Sequence, residues 1–190
     1  MSGSGTVHRR AGSAHRPTGW GWFMAMYAAE RTEPRNNPID VLEELVNANE
    51  WRFDRSGEDE MVVEVPGRWS ELRLFFVWQE DLSAMYFSCL FDLRVPEKKR
   101  LATAELLSLI NEKLWLGHFD LCSDELVPLF RHTVLMRGVG GVSAEQLEDL
   151  VDTAITECER FYPAFQFVLW GGKNAKEAVA AALVETVGEA

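Results

Sequence analysis

The stretch from Met85 to Val95 alternates without a fault. Met85, Phe87, Cys89, Phe91, Leu93 and Val95 take every second position and all are apolar, while Tyr86, Ser88, Leu90, Asp92 and Arg94 fall between them. Successive side chains of a strand point to opposite faces, so a period of two gives this segment one core face and one outer face. Register is then tightly constrained, because a slip of one residue would turn the whole apolar set to water. The preceding segments follow the same rule. Leu72, Leu74, Phe76 and Trp78 alternate, Met61 to Val65 is rich in β-branched residues, and Trp51 and Phe53 alternate with Arg52 and Asp54. Ser56-Gly57-Glu58-Asp59, Pro66-Gly67 and Glu80-Asp81 separate these runs. Connections this short imply an antiparallel meander with one buried face.

Such a face needs helices to cover it. Asn37 is a good N-cap and Pro38 suits a first turn, and Ile39, Leu42, Leu45 and Val46 give residues 38–49 an amphipathic stripe. Pro96-Glu97 opens a helix expected over 97–116, with Thr103, Leu106, Leu107, Ile110 and Leu114 on its core side and Gly117 as its stop. Strands are expected at 118–122 and 126–136, joined at Ser123-Asp124, with Pro128 marking an edge or a bulge. Ser143 and Gln146 form a capping box for a long helix whose stripe runs from Leu147 through Phe165 towards Trp170. Pro163 lies inside it and is expected to kink rather than break it. Asn174 and Glu177 cap a last helix over 175–186. The order is α, β meander, α, ββ, α, α: an α+β fold, an antiparallel sheet flanked by helices.

The chain has 190 residues, the size of one domain, and its 47% apolar content excludes disorder of the whole. The net charge of −11 is unevenly spread. Residues 1–37 hold five Arg and two Glu, or +3, leaving 14 basic and 28 acidic residues, or −14, for the rest. A domain of that charge repels nucleic-acid phosphates and anionic lipid, so neither DNA, RNA nor membrane is expected as partner. The three cysteines, Cys89, Cys122 and Cys158, are odd in number and lack CxxC spacing, which points to a reducing cytoplasm rather than a disulfide framework. The apolar run from Trp20 to Ala29 is too short to span a membrane. Residues 1–37 read as a disordered tail, or as the product of a start placed upstream of Met24 or Met26, and residues 38–190 as the domain.

No motif carries chemistry. Gly138-Val139-Gly140-Gly141 lacks the Lys of a phosphate loop and the third glycine of a dinucleotide fingerprint. Glu112, His118, Asp120 and Cys122 cluster without the spacing of a metal site. His132 stands beside Arg131, where a meeting of the two side chains would lower its affinity for protons. No Ser or Cys has a recognisable base and orienting partner. We therefore expect no enzyme activity, cofactor or metal. Trp115 and Trp170 are of the type that anchors interfaces, set against the simpler reading that both are core tryptophans.

Two segments are denser in particular residues than packing requires: N-E-K-L-W-L-G-H-F-D at 111–120 and F-Y-P-A-F-Q-F-V-L-W-G-G-K at 161–173. Together with N-P-I-D-V-L-E-E-L at 37–45 they resemble the YbjN family of bacterial sensory-transduction-regulator-like proteins. The resemblance covers about 38–190. It implies a fold similar to the type III secretion chaperones, a bacterial cytoplasmic location and dimers, and it brings no catalytic residues. The expected function is a non-enzymatic protein-binding module, chaperone-like or a regulatory adaptor. The alternative is a small-ligand sensor with a pocket near Trp115, His118 and Trp170. Leu101, Leu109 and Leu116 point away from the core stripe of the 97–116 helix, so they join Trp115, His118 and Trp170 as candidate interface residues and suggest a homodimer.

Overall fold

Asn37 starts the first helix, α1 (Pro38–Ala48), by accepting a hydrogen bond from the Ile39 N–H at 2.9 Å. Its amide also donates to the Glu58 carbonyl at 2.8 Å, so the cap ties the helix to a turn of the sheet. The computed structural model describes residues 37–138 and 142–187. The expectations for residues 1–36 and for the glycine loop at 139–141 lie outside them. After α1 come β1 (Arg52–Arg55), β2 (Glu60–Pro66), β3 (Glu71–Gln79) and β4 (Ala84–Phe91), the expected meander. The chain continues through α2 (Arg100–Asn111), β5 (His118–Leu121), β6 (Pro128–Leu135), α3 (Ala144–Leu169) and α4 (Ala175–Val187). The strands form one six-stranded sheet in the order β1-β2-β3-β4-β6-β5, every neighbour antiparallel. The fold is α+β.

The alternation along β4 sets the register. Leu72 faces Phe91, Leu74 faces Cys89 and Phe76 faces Phe87 across the β3–β4 pair. Cys89 in turn faces Phe130 of β6, and Phe130 faces Phe119 of β5. All of these are buried, and the helices pack on them through Leu42, Leu106, Ile110, Cys158, Phe161 and Phe165. Cys89 and Cys158 are the small hydrophobes expected: burial pushes the Cys158 thiol well up, with Cys89 as its hydrogen-bonding neighbour, which keeps it un-ionised and unreactive. Aromatic rings fill the wall between β5 and α3. Phe119 meets Phe130 at 5.5 Å, Phe91 at 5.9 Å, Phe165 at 5.9 Å and Phe161 at 6.0 Å between centroids, within the range of favourable ring pairing.

Several boundaries differ from those the sequence suggests. β4 ends at Phe91 rather than Val95, although Leu93 and Val95 stay buried. The chain there leaves the ladder, and the Val95 N–H bonds instead to the Leu126 carbonyl at 2.8 Å. Residues 97–99 are a 3₁₀ turn, and α2 stops at Asn111 rather than 116. The Asn111 side chain is used elsewhere: its oxygen accepts from the Phe119 N–H at 2.7 Å and its amide donates to the Phe119 carbonyl at 3.0 Å. β6 begins at Pro128 because the β5–β6 turn is longer than expected. Leu126 takes a left-handed conformation there, and its N–H closes on the Cys122 carbonyl at 2.8 Å. α3 runs through Pro163 without interruption, and Pro163 lies buried within it. Both capping boxes form, Ser143 with Gln146 and Asn174 with Glu177.

These contacts give two expectations for stability. Phe91→Ala empties part of the aromatic wall and should cost about 3–5 kcal/mol in urea melts, whereas Tyr86→Ala, on the half-buried outer face, should cost clearly less. Equal costs would show the outer face to be as closed as the inner one. Asn111→Ala leaves a backbone donor and acceptor of the buried Phe119 without their partner and should cost about 1–3 kcal/mol. A loss indistinguishable from zero would mean that solvent replaces both bonds.

Candidate functional site

The turn between α2 and β5 is built to project side chains outward. Gly117 has a φ of +64°, a left-handed conformation that glycine adopts without strain. A Cβ at this position would collide with the Phe130 ring and the Arg131 carbonyl, so the glycine also lets the chain lie flat against β6. Leu114 turns back onto the core, while Trp115 is 100% exposed and Leu116 52% exposed. A tryptophan left wholly in water beside a half-exposed leucine contrasts with the core reading of Trp115. Trp170 is not a core residue either. It caps the C-terminal end of α3 and is 64% exposed.

His118 opens β5, is exposed and lies opposite Arg131 of β6. Arg131 pairs with Asp120 at 3.2 Å and lies over the Tyr86 ring at 5.8 Å. His132 is held below its ordinary pKa first by burial and second by the charge of His118. Arg131, expected from its place beside His132 to lower that residue's affinity for protons, is not among these causes.

The sequence-derived candidates therefore divide. Trp115, Leu116 and His118 come together on one turn. Leu101 lies 86% exposed near the start of α2, about 15 Å along the helix from that turn. Leu109 is partly buried and packs against the core, so it departs from the outward position expected of it. Trp170 stands on a different element. Concavities among the described residues include one of about 300 Å³ beside Arg73 and Leu90, one of about 180 Å³ beside Met136 and Leu147, and a negligible one beneath Trp69. None of these three is lined by Trp115, His118 or Trp170. Among the described residues no three His, Cys, Asp or Glu side chains gather as a metal site, and no helix is long and apolar enough to cross a membrane.

One tryptophan escaped the sequence reading. Trp69, in the β2–β3 turn, stacks on Tyr162 at 6.5 Å and donates its indole N–H to the Glu159 carbonyl at 3.1 Å. It fastens the turn to α3, a structural task. Its place in a short turn after Pro66-Gly67 gives no periodic signal.

Residues 38–167 match the family model of YbjN, described as "Putative bacterial sensory transduction regulator". No curated protein matches the chain. A crystal structure of YbjN from E. coli is similar, with 17% sequence identity, a TM-score of 0.47, and coverage of 64% of this chain and 85% of that one. With a family model matched over most of its length, from the first residue of α1 to the last turn of α3, the chain belongs to the YbjN family.

Proposed function

We propose that this protein is a cytoplasmic regulatory adaptor that works by binding another protein and carries out no covalent chemistry. The family description supports a regulatory role, and Trp115 carries the binding reading. A tryptophan buries about 150–250 Å² on entering an interface. At about 25 cal/mol per Å², that is a gross gain of roughly 4–6 kcal/mol, available only if a partner supplies the pocket. Leu116 adds apolar surface beside it, and the left-handed Gly117 fixes the turn in advance, so little ordering cost attends binding. We propose further that the chain self-associates, with Leu101 on α2 as an interface residue.

Two measurements test this. A photo-crosslinking residue in place of Trp115 should yield a discrete adduct in cells, and the same residue in place of the exposed Glu148 on α3 should not. No adduct at 115, or the same adducts at both positions, would remove the binding reading. Light scattering should give twice the 21.6 kDa chain mass, and Leu101→Glu should return it to one chain mass with native circular dichroism, since Leu101 is exposed. Leu109→Glu is expected instead to destabilise the fold, because Leu109 packs on the core. A wild-type mass of one chain at every accessible concentration ends the self-association reading.

A further inference from the structure

The sheet's outer face offers a second surface, distinct from the Trp115 side chain itself. The described helices pack on the inner face, through the core residues of the strands. On the outer face Val62, Phe75, Val77, Tyr86 and Leu90 stand half-buried and outside that core. By register they are neighbours: Val62 lies opposite Phe75, and Val77 opposite Tyr86. At the Phe91 end, the surface dips into the concavity of about 300 Å³. Its lining holds four carboxylates, Glu64, Glu71, Asp92 and Glu125, against two guanidiniums, Arg73 and Arg94, with Leu90 among them.

We propose that this face is a docking surface for a cationic protein segment in which Lys or Arg alternates with apolar residues. The charge argues for the class of partner. Four carboxylates against two guanidiniums leave the rim negative, in a chain of net charge −11. A nucleic acid is therefore repelled at this rim. The rim's own ion pairing leaves room for a newcomer: Arg73 and Glu64 stand 3.8 Å apart, about half-exposed, where a pair contributes little. An incoming ammonium or guanidinium takes up the Glu64 carboxylate without breaking a strong contact. The apolar stripe argues for a segment rather than a free cation. It continues from Leu90 past Phe75 to Tyr86 and Val77, beyond the reach of one side chain, and a period of two on the partner would match the period of two on the sheet.

The probe is a short labelled peptide alternating Lys with Val, titrated onto the full chain by fluorescence anisotropy, with spermidine as a competing free cation. Glu71 and Glu125 are exposed, so Glu71→Lys with Glu125→Lys should leave the fold native by circular dichroism and weaken the peptide by about tenfold or more. Phe75→Ser should weaken it as well, and added salt should weaken it steeply. Glu148→Lys with Asp152→Lys, the same charge change on the exposed side of α3, should leave affinity within about twofold. Trp115→Ser should leave it unchanged, which separates this surface from the one proposed above. Equal loss in the α3 pair would reduce the effect to net charge and overturn the proposal. So would a Phe75→Ser variant that is folded and binds normally, spermidine binding as tightly as the peptide, or no measurable binding.

Discussion

Phe119 holds the layers of this fold to one another in two ways at once. Its ring stands among Phe91 and Phe130 of the sheet and Phe161 and Phe165 of α3. Its backbone is gripped by the Asn111 side chain at the end of α2. The side chain thus joins β5 to the sheet and to the long helix, while the backbone joins it to α2. α2 can stop at Asn111 because the residue that ends the helix is spent on the strand. The short turn through Trp115 to Gly117 inherits a fixed start and a fixed end, and its exposed side chains are therefore presented rather than loose.

Among the described residues the helices cover one sheet face, and this has consequences for the other. Phe75, Val77 and Tyr86 pair across the meander and shade one another, and Ser88 between Phe75 and Arg131 is buried although no described helix covers it. The face combines an apolar stripe with a charged rim. The Trp115 turn differs in kind. It offers one large side chain on a rigid mount, an anchor whose gain comes from filling a pocket rather than from matching charge. The two proposed surfaces thus differ in physical selectivity, one set by shape and the other by charge.

Most of the framework was legible because burial leaves a period in the sequence. The meander, the four helices and both capping boxes emerge from apolar spacing and cap chemistry. Where the reading overran, it mistook burial for pairing. Leu93 and Val95 continue the alternation of β4 because they are buried, yet the ladder has ended, and spacing alone cannot tell a paired strand from an extended tail. Leu114 similarly lengthened the expected α2, since it touches the core from a turn. The exposure of Trp115 was not legible, because a tryptophan one step beyond an apolar stripe serves a core and an interface equally well. The concavity beside Leu90 left no trace at all. Its lining comes from β2, β3, the end of β4 and the β5–β6 turn, residues that only the register brings together.

The sheet's two edges bear on why the proposed surfaces are a face and a turn. An open edge strand offers unpaired N–H and C=O groups to any extended chain, the usual route to strand addition and to aggregation. Here both edge strands have only four residues. β1 carries charge at Arg52, Asp54 and Arg55, and Arg55 is drawn to α1 by Glu43 at 2.6 Å and Asp40 at 2.7 Å. β5 has its central residue already paired, because Asn111 supplies the donor and the acceptor that a neighbouring strand would bring. A side-chain amide has the same donor and acceptor as a peptide group, so the edge is closed by a single residue without a further strand. With strand addition disfavoured at both edges, a partner segment that reaches this sheet gains little from backbone pairing. It must be recognised through its side chains, which is the selectivity that an alternating apolar and charged face provides.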